Sequence, residues 1–190
     1  IRAIVNTGDI TVHCETDIDT DGMHKLSAEF DAVYVAIGAQ GGKTLKLEGS
    51  DAEGVMSAVE LLTQIGDDEY PDFTGKDVVV VGGGNVAMDC ARTAIRSGSK
   101  SVTVAYRRRL EDMTANQCEI DSAMQEGIEM MTLQAPVKIE TDDSGHCTAL
   151  ICQPQFIGPV KRGRPAPQNA SKPEISLPAD VILIAVGQDI

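Results

Sequence analysis

Residues 76–109, KDVVVVGGGNVAMDCARTAIRSGSKSVTVAYRRR, decide the fold. The four consecutive valines at 78–81 predict a strand buried on both faces, because such a β-branched run leaves no polar side for solvent. Apolar residues then recur at helical spacing over 85–97, and Gly98 is the expected C-terminal cap of that helix. A second β-branched run follows at 101–106. The pattern therefore predicts strand, glycine turn, helix and strand.

The junction between the first strand and the helix reads G-x-G-x-x-A, with Gly82, Gly84 and Ala87 at the fixed positions. In such a turn the first glycine permits the tight bend, the second lets backbone approach a pyrophosphate, and the alanine lets the helix pack near the strand. The helix N terminus offers free N–H groups and the positive end of its dipole to phosphates. We interpret the motif as a dinucleotide-binding turn. A purely structural glycine turn is the alternative.

The end of the second strand indicates which dinucleotide binds. An NAD site usually has Asp or Glu there to accept hydrogen bonds from the ribose 2′-OH. This sequence instead has Tyr106-Arg107-Arg108-Arg109, with no carboxylate before Glu111. Guanidinium groups hold a 2′-phosphate through charge-assisted hydrogen bonds, which favours NADP(H) over NAD(H). The alternative is that the arginines only solvate a loop, as at least one is expected to do. Tyr106 or an arginine could also stack on the adenine.

The charge distribution argues against binding of nucleic acid or of an anionic membrane surface, because the chain carries a net charge of −13. Residues 76–110 nevertheless hold seven Lys or Arg and only two Asp, a net charge of +5, which leaves −18 for the rest of the chain. A basic island in an acidic protein suits a bound anion. No apolar run approaches membrane-spanning length, and we expect neither a signal peptide nor a membrane span.

The cysteines include no C-x-x-C pair, which excludes a redox dithiol or a cysteine-rich iron–sulfur motif of that type within this chain and predicts a reducing, cytoplasmic setting. Cys147 and Cys152 lie an odd number of residues apart, so on a regular strand they would face opposite sides. Cys90 and Cys118 are expected to pack inside helices. The histidines show no metal-ligand spacing and are expected to be exposed, so no metal is predicted.

The segment before this unit predicts β structure. Residues 1–30 are expected to form a β-ribbon with a turn at 19–22, and residues 30–40 a buried strand that ends in Gly38-Ala39. Residues 41–52 read as a polar connection, residues 56–65 as a helix, and residues 66–73 as an acidic linker.

The segment after the arginines predicts a helix, a third buried strand and an antiparallel meander. Thr114 and Gln117 fit a capping box for a helix that ends near Glu126. The strand follows at 128–133. The meander comprises 137–140, 147–155 and 174–177, with a hairpin turn at 142–145. Residues 158–173, basic and proline-rich, predict a long mobile loop. A last buried strand at 181–188 ends in ILIAVGQ, which echoes VYVAIGAQ at 33–40.

Several of these motifs together resemble one family. GGGNVAMDCARTA, followed by VTVAYRRR, EDMTA and EGI, is similar to the pyridine-nucleotide domain of the glutamate synthase small-subunit family, which includes the reductase portion of dihydropyrimidine dehydrogenase. DAVYVAIGAQ and ADVILIAVGQ resemble the two strand-end motifs of its two-dinucleotide-binding-domain flavoprotein fold. The resemblance covers essentially the whole chain.

The resemblance implies an α/β fold: a Rossmann-like parallel sheet flanked by helices, with an antiparallel β-meander and a partial FAD-domain remnant. Residues 75–190 would bind NADP(H), and residues 1–74 would be the remnant of the FAD-binding domain and a linker. In the family, hydride passes from NADPH to FAD and electrons leave through iron–sulfur clusters. By position, the pyrophosphate would be held by Gly82, Gly83, Gly84, Asn85 and Val86, and the 2′-phosphate by Arg107 and Arg108. Gly38 and Ala39 would lie near FAD, and Gly187 and Gln188 near the domain junction.

Two departures from the family lead us to expect a fragment. First, no second G-x-G-x-x-G for FAD precedes this unit, and there is no cysteine-rich iron–sulfur segment. Second, the chain starts without Met and stops just past a predicted strand. Residues 1–40 would then lack their sheet partners, which predicts rearranged pairing, disorder or dimerisation. The expected partners are the flavin domain of the same chain, a glutamate synthase large subunit or another electron-accepting subunit, and a second copy of the fragment.

Two other functions were weighed. The first is a stand-alone NADP(H)-binding or sensing module without catalysis. The second, a short-chain dehydrogenase, needs a Tyr-x-x-x-Lys proton relay, and none of Tyr34, Tyr70 and Tyr106 has a lysine four residues on. No catalytic acid, base or nucleophile is assigned, because hydride transfer is chemistry of the cofactor.

Overall fold

The computed structural model describes residues 8, 10–39, 41–161 and 163–189, without the side chains of Lys161 and Asp189. The chain divides into two compact units, Ile1–Gly38 and Ala39–Ile190. Within the described ranges, no helix combines the length and the apolar character needed to cross a membrane.

The first unit contains helix α1, Thr20–Glu29, so the β-ribbon predicted for residues 1–30 is wrong over its described part. The sequence DTDG was interpreted as a turn. The Asp19 carboxylate instead accepts a hydrogen bond of 2.8 Å from the Gly22 N–H. This satisfies a donor at the helix N terminus and starts a helix rather than a hairpin. Residues 1–7 and 9 lie outside the described residues.

The buried strand predicted at residues 30–40 is also absent from its described part. The apolar side chains of Phe30, Tyr34 and Ile37 are 56%, 92% and 65% exposed, and residues 32–39 have no assigned strand. A β-branched segment becomes a buried strand only when a neighbouring strand and a covering layer exist. The exposure fits the expected loss of sheet partners. Gln40 lies outside the described residues, and dimerisation stays a prediction.

The second unit is built on a five-stranded parallel sheet. Its strands in chain order are β2 (Val55–Ser57), β3 (Asp77–Val81), β4 (Ser101–Tyr106), β5 (Glu129–Thr132) and β10 (Val181–Ile184). Across the sheet they lie in the order β2-β10-β3-β4-β5. A short antiparallel pair, β1 (Gly41–Gly42) and β11 (Gln188–Asp189), lies apart from it. The strand–turn–helix–strand prediction for residues 76–109 is confirmed.

Three helices cover one face of the sheet: α2 (Ala58–Gly66), α3 (Asn85–Arg96) and α4 (Gln117–Gln125). A 3₁₀ turn, Leu110–Asp112, precedes α4. Val78 and Val80 of β3 are buried on this face among Leu61, Met88 and Val104. The alternate valines therefore bury one face of β3 under helices, as the run of four predicted.

An antiparallel sheet covers the opposite face, where Val79 and Val81 pack against Ile139 and Leu150. Its strands are β6 (Gln134–Thr141), β7 (Cys147–Lys161), β8 (Arg164–Asn169) and β9 (Ile175–Pro178), with β7 paired to the other three. The predicted class, an α/β fold with a parallel sheet and an antiparallel meander, is confirmed.

The mobile loop predicted at residues 158–173 is wrong, because β7 continues to Lys161 and β8 pairs back along it. We call the described residues of this hairpin, 155–161 and 163–169, the β7–β8 arm. Pro165 and Pro167 suggested a loop, but among the residues that the structure describes β8 pairs with β7 alone, so its other edge is free of a described strand. Proline is tolerated there, where no backbone donor is needed on the outer side.

Cys147 and Cys152 lie in one buried cluster with Leu150, so the prediction that they face opposite sides is wrong. The register of the β6–β7 pairing shifts between Glu140 and Thr141, and such a bulge adds one residue and reverses the alternation. Burial raises the pKa of the two thiols to about 11 and about 12. The predicted packing of Cys90 is confirmed, whereas Cys118 is exposed.

The elements between residues 39 and 75, which are β1, β2 and α2, belong to the same compact unit as β3. The sequence analysis missed β2, since it placed Met56 at the start of a helix. The helix begins at Ala58 instead, where the Ser57 hydroxyl accepts a hydrogen bond of 3.1 Å from the Glu60 N–H. The assignment of residues 1–74 to a flavin-domain remnant and linker stays a prediction.

Replacing Leu150 by Ala should destabilise the chain by about 2–5 kcal/mol, because the fully buried side chain fills the layer between the two sheets. Urea denaturation measures the change. Phe156→Ala, at a neighbouring side chain that is 48% exposed, is the control and should cost far less. Equal losses for the two variants would contradict the proposed layering.

Candidate functional site

A cavity of about 760 Å³ opens at the carboxyl ends of β3, β4 and β10. The chain leaves β3 towards β4 and β5 on one side of the sheet, whereas β10 and β2 lie on the other. Ligands of open α/β sheets bind at such a switch point, outside the carboxyl ends of the strands. Val81, Ala105 and Ala185 form the strand-end part of the lining.

The first two glycines of the turn are required by the packing of the protein itself. Gly82 has φ +153°, and a Cβ there would lie 2.4 Å from the carbonyl oxygen of Ala185. A Cβ on Gly83 would lie 2.6 Å from the ring of Tyr106. Side chains at these positions would force the strand ends apart. The tight turn predicted for Gly82 is thereby explained.

Gly84 differs, because no described residue requires it to be small. It is the N-cap of α3, with φ −103°, and a Cβ there would meet no protein atom closer than the Thr114 hydroxyl at 3.5 Å. It also lines the cavity. The missing side chain therefore leaves space that a ligand can occupy.

The N terminus of α3 presents unpaired donors to the cavity. No side chain caps it, and within the described part of the chain the N–H groups of Gly84, Asn85 and Val86 have no hydrogen-bond acceptor. These residues line the cavity. The Asn85 side-chain oxygen accepts instead from the Asn116 N–H at 2.8 Å and braces the neighbouring loop. The exposed donors and the helix dipole favour an anion here.

The capping box predicted from Thr114 and Gln117 is wrong. α4 begins at Gln117 after Asn116, without a side-chain cap. The Thr114 N–H donates to the Gly83 carbonyl at 2.8 Å, and its hydroxyl makes a longer contact of 3.4 Å with the same oxygen. Thr114 therefore holds the glycine turn rather than starting the helix.

The cationic cluster predicted at the end of β4 divides into two roles. Arg107 and Arg108 line the cavity. Arg109 pairs with Asp112 at 2.9 Å and Glu111 at 3.1 Å. This pairing lowers the pKa of the Asp112 carboxyl, with the hydrogen bond from Arg109 as its main cause. Arg109 is thus the arginine that supports the loop.

Charge pairing separates the described arginines in the same way. The three outside the cavity lining are Arg92, Arg96 and Arg109, and each has a carboxylate partner. Arg92 pairs with Glu119 and Glu126, and Arg96 pairs with Glu126. The three in the lining, which are Arg107, Arg108 and Arg164, have none among the described residues. Unneutralised guanidinium groups along one cavity create a site for a multiply charged anion.

Tyr106 is only 8% exposed, and its hydroxyl donates to the Asp112 carbonyl at 2.8 Å. Its ring lies against Gly83. Because so little of Tyr106 is exposed, the structure disfavours stacking of an adenine on its ring. An arginine remains the candidate for that contact.

The sequence-predicted residues Gly187 and Gln188 also line the cavity, beside the glycine turn. Lys43 donates its N–H to the Gly187 carbonyl at 3.1 Å, which joins β11 to the segment after β1. The structure therefore brings together Gly82, Gly83, Gly84, Asn85, Val86, Arg107, Arg108, Gly187 and Gln188. Gly38 and Ala39 are not part of the lining.

Sequence reasoning missed Arg164, which reaches the cavity from the β7–β8 arm. The basic composition of residues 158–173 was the available signal, but a loop prediction gave it no position. Among the described residues, no group of three His, Cys, Asp or Glu side chains is arranged to hold a metal ion.

Comparison with known proteins identifies the family. The pyridine nucleotide-disulphide oxidoreductase family matches residues 3–190. This chain belongs to that family. Among its relatives, the beta subunit of the NADP(+)-dependent formate dehydrogenase of Moorella thermoacetica is 34% identical over 99% of this chain and 27% of its own length. The glutamate synthase [NADPH] small chain of Escherichia coli K12 is 31% identical over 98% of this chain and 42% of its own length. The predicted resemblance to the small-subunit group is confirmed.

A solved structure shows the same fold. FprA of Mycobacterium tuberculosis, determined in complex with NADPH, superimposes with a TM-score of 0.71 at 18% identity, over 87% of this chain and 52% of FprA. The chain thus spans only part of the family members that it resembles.

The glycines of the turn should differ in what they contribute to stability. Gly82→Ala should destabilise the chain by more than about 2 kcal/mol, because the substitution combines backbone strain with a clash against Ala185. Gly84→Ala should change stability by less than about 1 kcal/mol. Urea unfolding of both variants measures this, and similar losses would contradict the assignment of Gly82 to packing and Gly84 to ligand space.

Proposed function

We propose that this chain binds NADP(H) within an FAD-dependent oxidoreductase of the glutamate synthase small-subunit type, which passes hydride from NADPH to FAD and electrons on to iron–sulfur clusters. The observation that carries the proposal is one cavity lined by backbone donors at the glycine turn and by guanidinium groups, for which the described residues supply no acceptor and no carboxylate partner, respectively. A dinucleotide with an additional phosphate has two anionic groups that match these two regions.

The turn would hold the pyrophosphate. The N–H groups come from Gly84, Asn85 and Val86. The preceding residue, Gly83, packs against the ring of Tyr106. Donors fixed by the fold need no reorganisation when phosphate oxygens bind, which favours affinity. In this arrangement the Asn85 side chain holds the loop at Asn116 through its hydrogen bond, and the Asn85 backbone N–H would contact the pyrophosphate.

Arg107 and Arg108 would hold the 2′-phosphate. The Arg108 Nε donates to the Pro165 carbonyl at 3.0 Å, which fixes the direction of the side chain. Its remaining N–H groups have no carboxylate partner among the described residues. NAD(H) lacks the phosphate and would leave these donors without a partner, so the arrangement discriminates between the coenzymes.

The nicotinamide end would lie on the apolar side of the cavity, near Ala58, Val59 and Val186. An apolar lining limits the water around the ring and orients it by contact. NADPH supplies the hydride when bound, and the flavin accepts it. No side chain of this chain is assigned to proton transfer.

The names of the relatives support the wider proposal, since they include a small chain and a beta subunit. We propose as partners the flavin domain of the same chain, near Gly38 and Ala39, and an electron-accepting subunit such as a glutamate synthase large subunit. A cytoplasmic location is proposed from the cysteine pattern, and a homodimer from the exposed segment at residues 30–37.

Titration of the 190-residue chain with NADPH and NADH tests the binding site. Unmodified chain should bind NADPH more tightly. Arg107→Ala with Arg108→Ala should weaken NADPH binding about 100-fold and leave NADH within about threefold, because hydrogen bonds to charged groups contribute about 1.5–3 kcal/mol each.

The matched control is Arg96→Ala with Lys100→Ala, which removes two positive charges from exposed ion pairs outside the cavity. The control should leave both affinities unchanged. Equal NADPH and NADH affinities in the unmodified chain, or an unchanged preference in the Arg107 and Arg108 variant, would contradict the proposed role of these arginines.

A further inference from the structure

The β7–β8 arm is attached to the cationic end of the cavity at two points. The Arg164 Nη2 donates to the Asp112 carbonyl at 3.2 Å. In the opposite direction, the Arg108 Nε donates to the Pro165 carbonyl at 3.0 Å. Two adjacent residues of the arm therefore contact the segment that carries the proposed 2′-phosphate ligands.

No carboxylate among the described residues forms an ion pair with Arg164. The carboxylate of Asp112 is already held by Arg109 through Nε at 2.9 Å and Nη2 at 3.1 Å. Arg164 binds only the carbonyl of Asp112 and has no ion pair among the described residues. A guanidinium group has five donors, so one carbonyl leaves most of them available.

The arm presents Arg164 from regular structure. Arg164 pairs with Lys161 at the end of the β7–β8 ladder, next to Gly163 at φ +75°. The ladder register shifts between Ile157 and Val160, and such an irregularity bends a strand and re-aims its side chains. A paired strand holds a side chain with less loss of entropy on binding than a free loop would.

We propose that Arg164 is a further specificity-determining residue, which binds the 2′-phosphate of NADP(H) from the β7–β8 arm, opposite Arg107 and Arg108. This inference rests on the proposed coenzyme site and adds a contact from a separate part of the chain. The phosphate then lies between the end of β4 and the arm, and its binding strengthens the attachment of the arm through charge-assisted hydrogen bonds to both sides.

The test is titration of the 190-residue chain carrying Arg164→Ala with NADPH and with NADH. NADPH should bind about tenfold more weakly, and NADH should stay within about twofold, because only NADPH carries the phosphate. Arg164→Lys keeps the charge but not the planar fork, so it should recover part of the lost NADPH affinity. Lys172→Ala removes an exposed positive charge that follows the arm and should change neither affinity.

The ratio of the two affinities decides the outcome. An unchanged ratio in Arg164→Ala overturns the inference, whether both affinities fall together through loss of the arm's attachment or neither changes. The proposed function is judged separately by the Arg107 and Arg108 variant. If that variant loses the preference for NADPH and Arg164→Ala keeps it, the coenzyme site stands and the role of Arg164 is rejected.

Discussion

The close approach of three strand ends around Gly82 and Gly83 is the constraint on which the fold and the site both depend. The Gly82 N–H donates to the Ala105 carbonyl at 3.2 Å, and the Ala185 N–H donates to the Val81 carbonyl at 2.8 Å. Side chains on the two glycines would collide with Ala185 and Tyr106. Because the two glycines carry no side chains, β3, β4 and β10 can end side by side. Helix α3 then begins at Asn85, with its N-terminal N–H groups at the cavity. The packing that completes the sheet thus also prepares an anion site.

Electrostatics explains how an acidic chain can offer a cationic cavity. The net charge is −13, yet among the described residues carboxylates pair with the arginines outside the cavity and not with those that line it. Glu126 shows the effect, since the hydrogen bond from Arg96 is the main cause of its lowered pKa. Likewise, the hydrogen bond from Arg109 is the main cause of the lowered pKa of Asp112. Pairing of this kind stabilises exposed helices and loops only modestly. Arg108 and Arg164 each donate to one backbone carbonyl, and their remaining donors, with those of Arg107, stay available for a ligand.

Local pattern was sufficient to predict β3, α3 and β4, because four valines, a glycine turn and helical periodicity all agree within 34 residues. Features that depend on distant partners were not predictable. Residues 30–37 have strand-like composition, but no covering layer surrounds them in the described structure. Proline in β8 suggested a loop, whereas an edge strand tolerates it. The bulge that aligns Cys147 with Cys152 depends on pairing with β6. Arg164 was missed because only the folded arm places it beside Arg107 and Arg108.

Amide hydrogen exchange at single-residue resolution, with and without saturating NADPH, tests the central claim most directly. The N–H groups of Gly84, Asn85 and Val86 have no acceptor among the described residues, so they should exchange quickly in the free chain. The account predicts that NADPH slows exchange at these three positions. Amides that β3 and β4 already pair in the sheet should change less. Protection elsewhere, with these three amides unaffected, would show that the dinucleotide binds somewhere other than the glycine turn.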